Sequence, residues 1–89
     1  MRLLLLSAKN FDNFDFQLYP NPVTSALSIR TQLENFAYTI YTIEGKVVQN
    51  GKSTLGTTTI NVSKLPAGMY LIDILSEAKE RSIQKFIKN

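Results

Sequence analysis

The chain has 89 residues, a formal net charge of +3, no cysteine and no histidine. This length allows one small domain, which buries roughly 60–65% of the surface of its unfolded chain. Lack of cysteine excludes a disulfide framework and a thiolate metal site. Lack of histidine removes the usual general base and the commonest metal ligand.

The basic residues are scattered, apart from a C-terminal group whose positive charge is partly offset by two glutamates. A groove for nucleic acid normally shows a denser basic stripe with exposed aromatic residues. We therefore expect no nucleic-acid partner. The group consists of Lys79, Arg81, Lys85 and Lys88, together with Glu77 and Glu80.

The first 15 residues differ in character from the rest of the chain. The leucine run at residues 3–6 is too short for a membrane-spanning helix or for the apolar region of a signal peptide. We interpret it as a short strand or as the stub of a longer protein. The segment Lys9–Asp15 is polar and aromatic with no clear period. Residues 1–15 are therefore expected to be a linker or the remnant of an upstream region, with the globular domain at 16–89.

A proline-rich corner, Leu18–Pro22, follows the run Phe14–Tyr19. Proline fixes φ and lacks a backbone donor, and the residue before it is pushed toward extended conformations. These constraints predict a rigid strand end. Taken alone, the corner is also compatible with an ordinary proline-rich loop.

The next segments alternate as strands do. Leu27 and Ile29 alternate with polar residues, which predicts a half-buried strand. The segment Phe36–Ile43 is rich in β-branched and aromatic residues, and we expect Tyr38 and Ile40 to face the core. Glu44-Gly45 predicts a type I turn with Gly45 in the left-handed region, which forms a bulge.

Two further strands are predicted after this turn. Lys46–Gln49 is the first, and Asn50-Gly51 after it is a strong hairpin signal, with the loop continuing through Leu55-Gly56. Thr57–Val62 alternates cleanly, with Thr58, Ile60 and Val62 on one face.

The last third contains one more hairpin. Leu65–Gly68 fits a type I turn with proline at its first central position. Met69–Leu75 is apolar on both faces except for Asp73, as a central strand is. A polar loop at 77–80 then leads into the last strand, Arg81–Ile87. Six or seven short strands at spacings of about ten residues, with no helical period, predict an all-β sandwich.

No arrangement of residues indicates catalysis or a cofactor. The chain has no Ser/His or Cys/His pair and no glycine-rich phosphate loop, and its acidic residues are not spaced as a metal cluster or calcium loop. We therefore expect neither an enzyme nor a cofactor. The acidic residues are Asp12, Asp15, Glu34, Glu44, Asp73, Glu77 and Glu80.

Five segments in register nevertheless resemble one family. Together they are similar to the C-terminal sorting domain (type A) of the type IX secretion system of Bacteroidetes, over roughly Phe16 to Asn89. Each segment alone is weak, and the ordered set carries the resemblance. The segments are Leu18–Pro22, Leu27-x-Ile29, Ile40–Val48, Ile60–Tyr70 and Lys85–Lys88.

The resemblance implies an immunoglobulin-like sandwich at the end of a larger exported protein. Such a domain is recognised in the periplasm and directs an N-terminal cargo domain through the outer-membrane translocon. A surface sortase usually removes the domain by cutting upstream of the first motif, here within residues 7–15. The cargo then lies at the cell surface or outside the cell. With no cargo and no signal peptide in its sequence, the chain is interpreted as a fragment or a truncated reading frame.

The resemblance also nominates recognition positions. Many members carry Asp where this chain has Thr42, which leaves a role for that carboxylate in doubt. Lys46, Lys85 and Lys88 are the best candidates because we expect them to be exposed. The same positions also have structural interpretations, as turn residues or as lysines that protect an edge strand. The positions are Leu18, Tyr19, Pro20, Asn21, Pro22, Gly45, Lys46, Leu65, Gly68, Tyr70, Lys85 and Lys88.

An alternative function is a carbohydrate-binding or adhesion module of a surface protein. It requires a row of exposed aromatic rings, and the four tyrosines are the candidates for that row. Their strand positions favour packing in or near the core instead. An exposed edge strand would also allow two copies to pair. The tyrosines are Tyr19, Tyr38, Tyr41 and Tyr70.

Overall fold

The computed structural model describes residues 16–54 and 57–89. The expected linker at 1–15, with its leucine run and its cleavage region, lies outside the described residues, as does Leu55-Gly56. Seven strands and no helix occur in the described part of the chain. The strands are β1 (Phe16–Tyr19), β2 (Ala26–Thr31), β3 (Phe36–Thr42), β4 (Val47–Ser53), β5 (Thr57–Asn61), β6 (Gly68–Ser76) and β7 (Arg81–Lys88).

The strands form two antiparallel sheets. One has the order β1-β2-β5 and the other β4-β3-β6-β7. In the larger sheet β6 pairs with β3 and β7, so it is the central strand that its apolar character predicts. The arrangement confirms the all-β, immunoglobulin-like sandwich.

The core lies between the inner faces of the sheets. Alternation in each strand turns every second side chain inward, and the large apolar residues at these inward positions are removed from water. The predicted inward positions Leu27, Ile29, Ile40 and Ile60 are all buried, and Tyr38 packs against them in part. The buried apolar residues are Phe16, Val23, Leu27, Ile29, Phe36, Ile40, Ile60, Val62, Tyr70, Ile72, Ile74 and Phe86.

The turn between β3 and β4 confirms the predicted glycine bulge. The Gly45 amide donates to the Thr42 carbonyl at 2.9 Å, and the Thr42 amide donates to the Lys46 carbonyl at 2.8 Å. Gly45 has φ = 96°, a conformation that costs a residue with a Cβ about 1–2 kcal/mol. The glycine is therefore required by the backbone of this turn.

The turn between β6 and β7 repeats this hydrogen-bond pattern without a glycine. The Lys79 amide donates to the Ser76 carbonyl at 3.0 Å, and the Ser76 amide donates to the Glu80 carbonyl at 2.8 Å. Lys79 takes the left-handed position with φ = 68°. The polar loop is thus confirmed, with a lysine where the other hairpin has glycine.

The hairpin expected at Asn50-Gly51 is wrong. Both residues lie inside β4, where Asn50 pairs with Thr39 and Gly51 with Tyr38. A Cβ on Gly51 would stand 2.5 Å from the Tyr38 hydroxyl oxygen, so glycine here makes room for a ring of the neighbouring strand. A glycine inside a strand often marks such a close approach and not a turn.

The turn expected at Leu65–Gly68 is displaced. The hydrogen-bonded turn lies earlier, where the Leu65 amide donates to the Val62 carbonyl at 3.0 Å. The Asn61 side chain stabilises it by accepting from the Ser63 amide at 2.9 Å. Gly68 instead opens β6 with φ = 152°. The Asn61 side chain stabilises a turn before Pro66, whereas the prediction placed the turn at the proline itself.

Asp73 is a buried carboxylate on the outer side of β6. Its Oδ2 lies 3.1 Å from Nε of Arg81, and its buried Oδ1 has no hydrogen-bond partner. Burial raises the pKa of Asp73 above its ordinary 3.8, while the Arg81 guanidinium opposes the rise. Removal from water is thus incompletely offset by the single cation.

The two turns predict stability changes of opposite sign. Gly45→Ala should lower the free energy of unfolding by about 1 kcal/mol, because alanine is strained at positive φ. Lys79→Gly should raise it by about 0.5 kcal/mol, the relief of strain being partly offset by glycine's entropy in the unfolded chain. Urea unfolding followed by far-UV circular dichroism measures both. Equal and same-sign changes would contradict the assignment of these turns.

A second prediction concerns pH. Because the folded protein holds the Asp73 proton to higher pH than the unfolded chain, the stabilisation from protonated Asp73 is present below 3.8 and is lost as pH rises through the raised pKa. Asp73→Asn removes this titration. The unfolding free energy of wild type relative to the variant should therefore fall between about pH 3.8 and neutrality. A difference that is constant with pH would refute the raised pKa.

Candidate functional site

The motif positions other than Lys85, which pairs with Leu71 further along β7, gather at one end of the sandwich. Thr42, which precedes Gly45-Lys46, pairs with Tyr70 at the start of β6. Gly68 pairs with Lys88 at the end of β7. The proline corner reaches the same place through a parallel bridge between Val23 and Lys88. We call this region the motif end, formed by 18–23, 42–46, 65–70 and 86–89.

The proline corner binds the last strand directly. The peptide bonds before Pro20 and Pro22 are both cis. The Asn21 side chain accepts from the Ile87 amide at 2.9 Å. Beyond Pro22, the Val23 amide donates to the Ile87 carbonyl, and the Val23 carbonyl accepts from the Asn89 amide, each at 2.8 Å. The first and last motifs therefore form one hydrogen-bonded unit.

The Leu65–Tyr70 motif is largely a packing device. The Tyr70 hydroxyl donates to the Pro66 carbonyl at 2.6 Å, which ties the loop to the strand that follows it. The Tyr70 ring is buried and stacks on Phe86 with their centroids 5.5 Å apart. Leu65 packs against the core. These contacts favour the structural interpretation for Leu65 and Tyr70.

Thr42 shows what the side chain at this position does in the turn. Its hydroxyl oxygen accepts from the Lys46 amide at 3.1 Å. An aspartate carboxylate is also a hydrogen-bond acceptor and suits such local bonds. Ser76 plays the same part in the other hairpin, accepting from the Glu80 amide at 3.1 Å. Thr42 therefore supplies a hydrogen-bond acceptor to the turn, as the Asp expected from the resemblance would.

The three recognition lysines have different surroundings. Lys46 and Lys85 are exposed, as expected. The expectation for Lys88 is wrong, because its exposed fraction is only 7%. It lies on the inward side of β7, as Phe86 does, and forms the parallel bridge with Val23. Its Nζ donates to the Asn89 carbonyl at 3.0 Å. Lys88 is therefore a poor point for direct contact with a partner.

The tyrosines do not form a row. Tyr70 is buried and Tyr38 lies half-buried against the core. Tyr41 is half-buried on the outer side of β3, whereas Tyr19 is 43% exposed at the end of β1 in the other sheet. The remaining exposed rings thus belong to different sheets. This placement disfavours a flat aromatic platform for sugars.

One surface was not foreseen from the motifs. The outer face of the four-stranded sheet, the side away from the core, carries a run of apolar side chains. Its signal was the apolar character of the central strands on both faces. We call this surface the outer sheet face; its apolar members are Tyr41, Val47, Met69, Leu71, Leu75, Ile83 and Ile87.

Some features of other functional classes were not found in the described residues. Among residues 16–54 and 57–89, no group of three or more acidic, histidine or cysteine side chains is placed to hold a metal ion. The same part of the chain contains no helix with the length and apolarity needed to span a membrane.

The bond between Asn21 and β7 gives a prediction. Asn21→Ala should lower the free energy of unfolding by about 1 kcal/mol, because the Ile87 amide loses its side-chain acceptor. Asn21→Asp keeps an acceptor oxygen and should lose less. Thr24→Ala, an exposed neighbour, is the control and should change stability by less than about 0.5 kcal/mol. Urea unfolding of the three variants decides; an alanine variant as stable as wild type would show that the bond contributes nothing.

Comparison with solved structures supports the fold. The chain is similar to PorZ, described as an essential bacterial surface component of the type IX secretion system of human oral-microbiomic Porphyromonas gingivalis, with a TM-score of 0.71 and 16% sequence identity. The match covers 83% of this chain and 11% of that chain, so this chain spans about a ninth of the length of PorZ. No curated protein shows a significant match.

The family comparison agrees with the resemblance inferred from the motifs. The model of the secretion system C-terminal sorting domain matches residues 17–89, which include every described strand except the first residue of β1. This family is a family of sorting signals and not of enzymes. The chain therefore belongs to the family of C-terminal sorting domains of the type IX secretion system.

Proposed function

We propose that residues 16–89 are an autonomous sorting domain that takes an N-terminal cargo domain through the outer-membrane translocon of the type IX system. The domain passes through the periplasm, and a surface sortase then cuts the chain within residues 7–15. The cargo is left at the cell surface or outside the cell.

The observation that supports this proposal best is the joining of separate motifs at the motif end. Segments that lie far apart in sequence, such as Asn21 and Ile87, are hydrogen-bonded there. The motif end also presents exposed groups, including Tyr19, Pro20 and Lys46. A machine that binds this end would recognise the folded domain and not a linear peptide.

The motif positions divide into two roles under this proposal. Buried ones maintain the fold, as Tyr70 and Lys88 do. Exposed ones are candidates for contact with the translocon or the sortase, with Lys46 and Lys85 the strongest because their charges reach solvent. The alternative carbohydrate-binding function is disfavoured by the dispersal of the tyrosines.

A fusion experiment tests the proposal. The whole 89-residue chain is joined to the C-terminus of a reporter that carries its own export signal, in a host with a type IX system. The reporter should appear outside the cell, and mass spectrometry should place the cut within residues 7–15. A second fusion that begins at Phe16 should also be secreted. If the intact chain leaves the reporter in the periplasm, the sorting function is refuted.

A charge reversal tests recognition separately from folding. Removing residues 85–89 should leave the reporter in the periplasm, but it also removes the fully buried Phe86 and so disturbs the fold. Lys46→Glu keeps the core and should still reduce secretion. Its matched control is Arg30→Glu, an exposed cation on the outer side of β2, which should be secreted as wild type. Equal secretion of both charge variants would exclude Lys46 from recognition.

A further inference from the structure

The outer sheet face leaves large apolar side chains in water. The exposed fractions are 54% for Ile83, 48% for Val47, 44% for Met69 and 42% for Ile87. These are four of the six large exposed hydrophobic residues in the described part of the chain. Their clustering on one sheet is unlike the scattered single apolar residues of an ordinary surface.

The register brings most of these side chains together. Met69 pairs with Ile87 across β6 and β7, and one step along the strands Tyr41 lies between Val47 and Leu71. Paired residues on one face of a sheet have Cβ atoms about 4.5–5.5 Å apart. These groups therefore form two adjoining apolar rows. The next row, Asn50–Thr39–Asp73–Ile83, is apolar only at Ile83, which lies diagonally from Leu71 and Leu75.

Cations stand on both edges of the face. Lys52 on edge strand β4 pairs with Ala37, and on edge strand β7 Arg81 pairs with Leu75 and Lys85 with Leu71. Among the paired residues of this face, Asp73 supplies the carboxylate. It is buried and already bonded to Arg81. Three cations against one carboxylate give the face a net charge of +2.

We propose that the outer sheet face is a docking surface for a protein that is apolar at the centre of its contact and carries carboxylates at the border. This inference rests on the proposed sorting function and deepens it: the partner is the export component that holds the folded domain. The apolar rows supply the contact area, and the two basic edges select an acidic rim.

Charge and composition favour this occupant over two others. A second copy would bring two faces of charge +2 together, and like-charge juxtaposition opposes such pairing. Basic patches that read anionic lipid contain about 4–8 Lys/Arg residues, whereas this face has three. Its apolar members are aliphatic apart from Tyr41, without the Trp and Tyr enrichment of a membrane interface.

The whole-chain reporter fusion tests the face with substitutions outside the motif end. Ile83→Asp should lower the extracellular fraction of the reporter roughly tenfold, as expected when a charge is placed in an apolar contact. Thr59→Asp is the matched control, an exposed residue in the middle of edge strand β5 of the other sheet, and it should leave secretion unchanged. Ile83→Thr preserves strand propensity and should give a smaller loss in the same direction. Circular dichroism of the purified 89-residue variants confirms that they fold.

The charged edge is tested in the same way. Lys85→Glu should reduce secretion several-fold, and Arg30→Glu should not. If the wild-type fusion is secreted and Ile83→Asp, Ile83→Thr and Lys85→Glu are secreted equally well, the docking surface is refuted while the sorting function stands. If the wild-type fusion itself stays in the periplasm, the sorting function is what fails.

Two measurements on the purified chain examine the competing occupants. Sedimentation at increasing concentration detects a dimer, and flotation with phosphatidylglycerol vesicles detects lipid binding. The proposal expects a monomer that does not float with the vesicles. A dimer that Ile83→Asp abolishes would overturn the proposal in favour of a second copy. Vesicle binding that Ile83→Asp abolishes would overturn it in favour of lipid.

Discussion

The structure depends on the pairing of Val23 with the last strand. Two backbone hydrogen bonds and the Asn21 side chain join the segment after β1 to residues 87 and 89. Since β1 belongs to one sheet and β7 to the other, this pairing ties the two sheets together where the motifs meet. Gln84 adds a second tie, donating to the Phe16 carbonyl at 2.6 Å. The two Val23 bonds satisfy the backbone groups of a fully buried residue.

Alternation of side chains was enough to predict most strands and the inward residues. Leu27, Ile29 and Ile60 each have polar or smaller neighbours in sequence, so their burial follows from strand geometry. The conformation of Gly45 could be predicted in the same way, because a glutamate-glycine pair after a strand favours one turn type. These are local constraints, and a single sequence carries them.

The errors arose where a distant residue determined the local structure. Gly51 suits a turn because glycine adopts many backbone conformations. In this fold, however, the ring of Tyr38 on the adjoining strand occupies the space that a Cβ at position 51 would need. Lys88 is charged, but its position in β7, where it forms a bridge with Val23, turns its side chain to the buried side. The site was foreseen as a set of motif positions, while their union at one end depends on strand order. Pairing between segments more than 60 residues apart leaves no local signal.

The motif positions and the outer sheet face differ in what most of their side chains do. Many motif residues close turns or fill the core, as Thr42, Gly45 and Tyr70 do. The outer sheet face does neither, since its side chains point away from the core and four of them are about half exposed to water. Some of its members, such as Met69 and Ile87, nevertheless lie inside the segments that carry the resemblance, so one segment can hold both a buried structural residue and an exposed apolar one.

The bond between the proline corner and the end of β7 has a consequence for biosynthesis. A ribosome makes the corner first and Ile87 more than 60 residues later, so the motif end cannot form until β7 has been synthesised. A cargo whose translation stopped short would lack Phe86 from the core and Ile87 from its bond to Asn21. A folded motif end is therefore present only in chains whose preceding residues have all been synthesised.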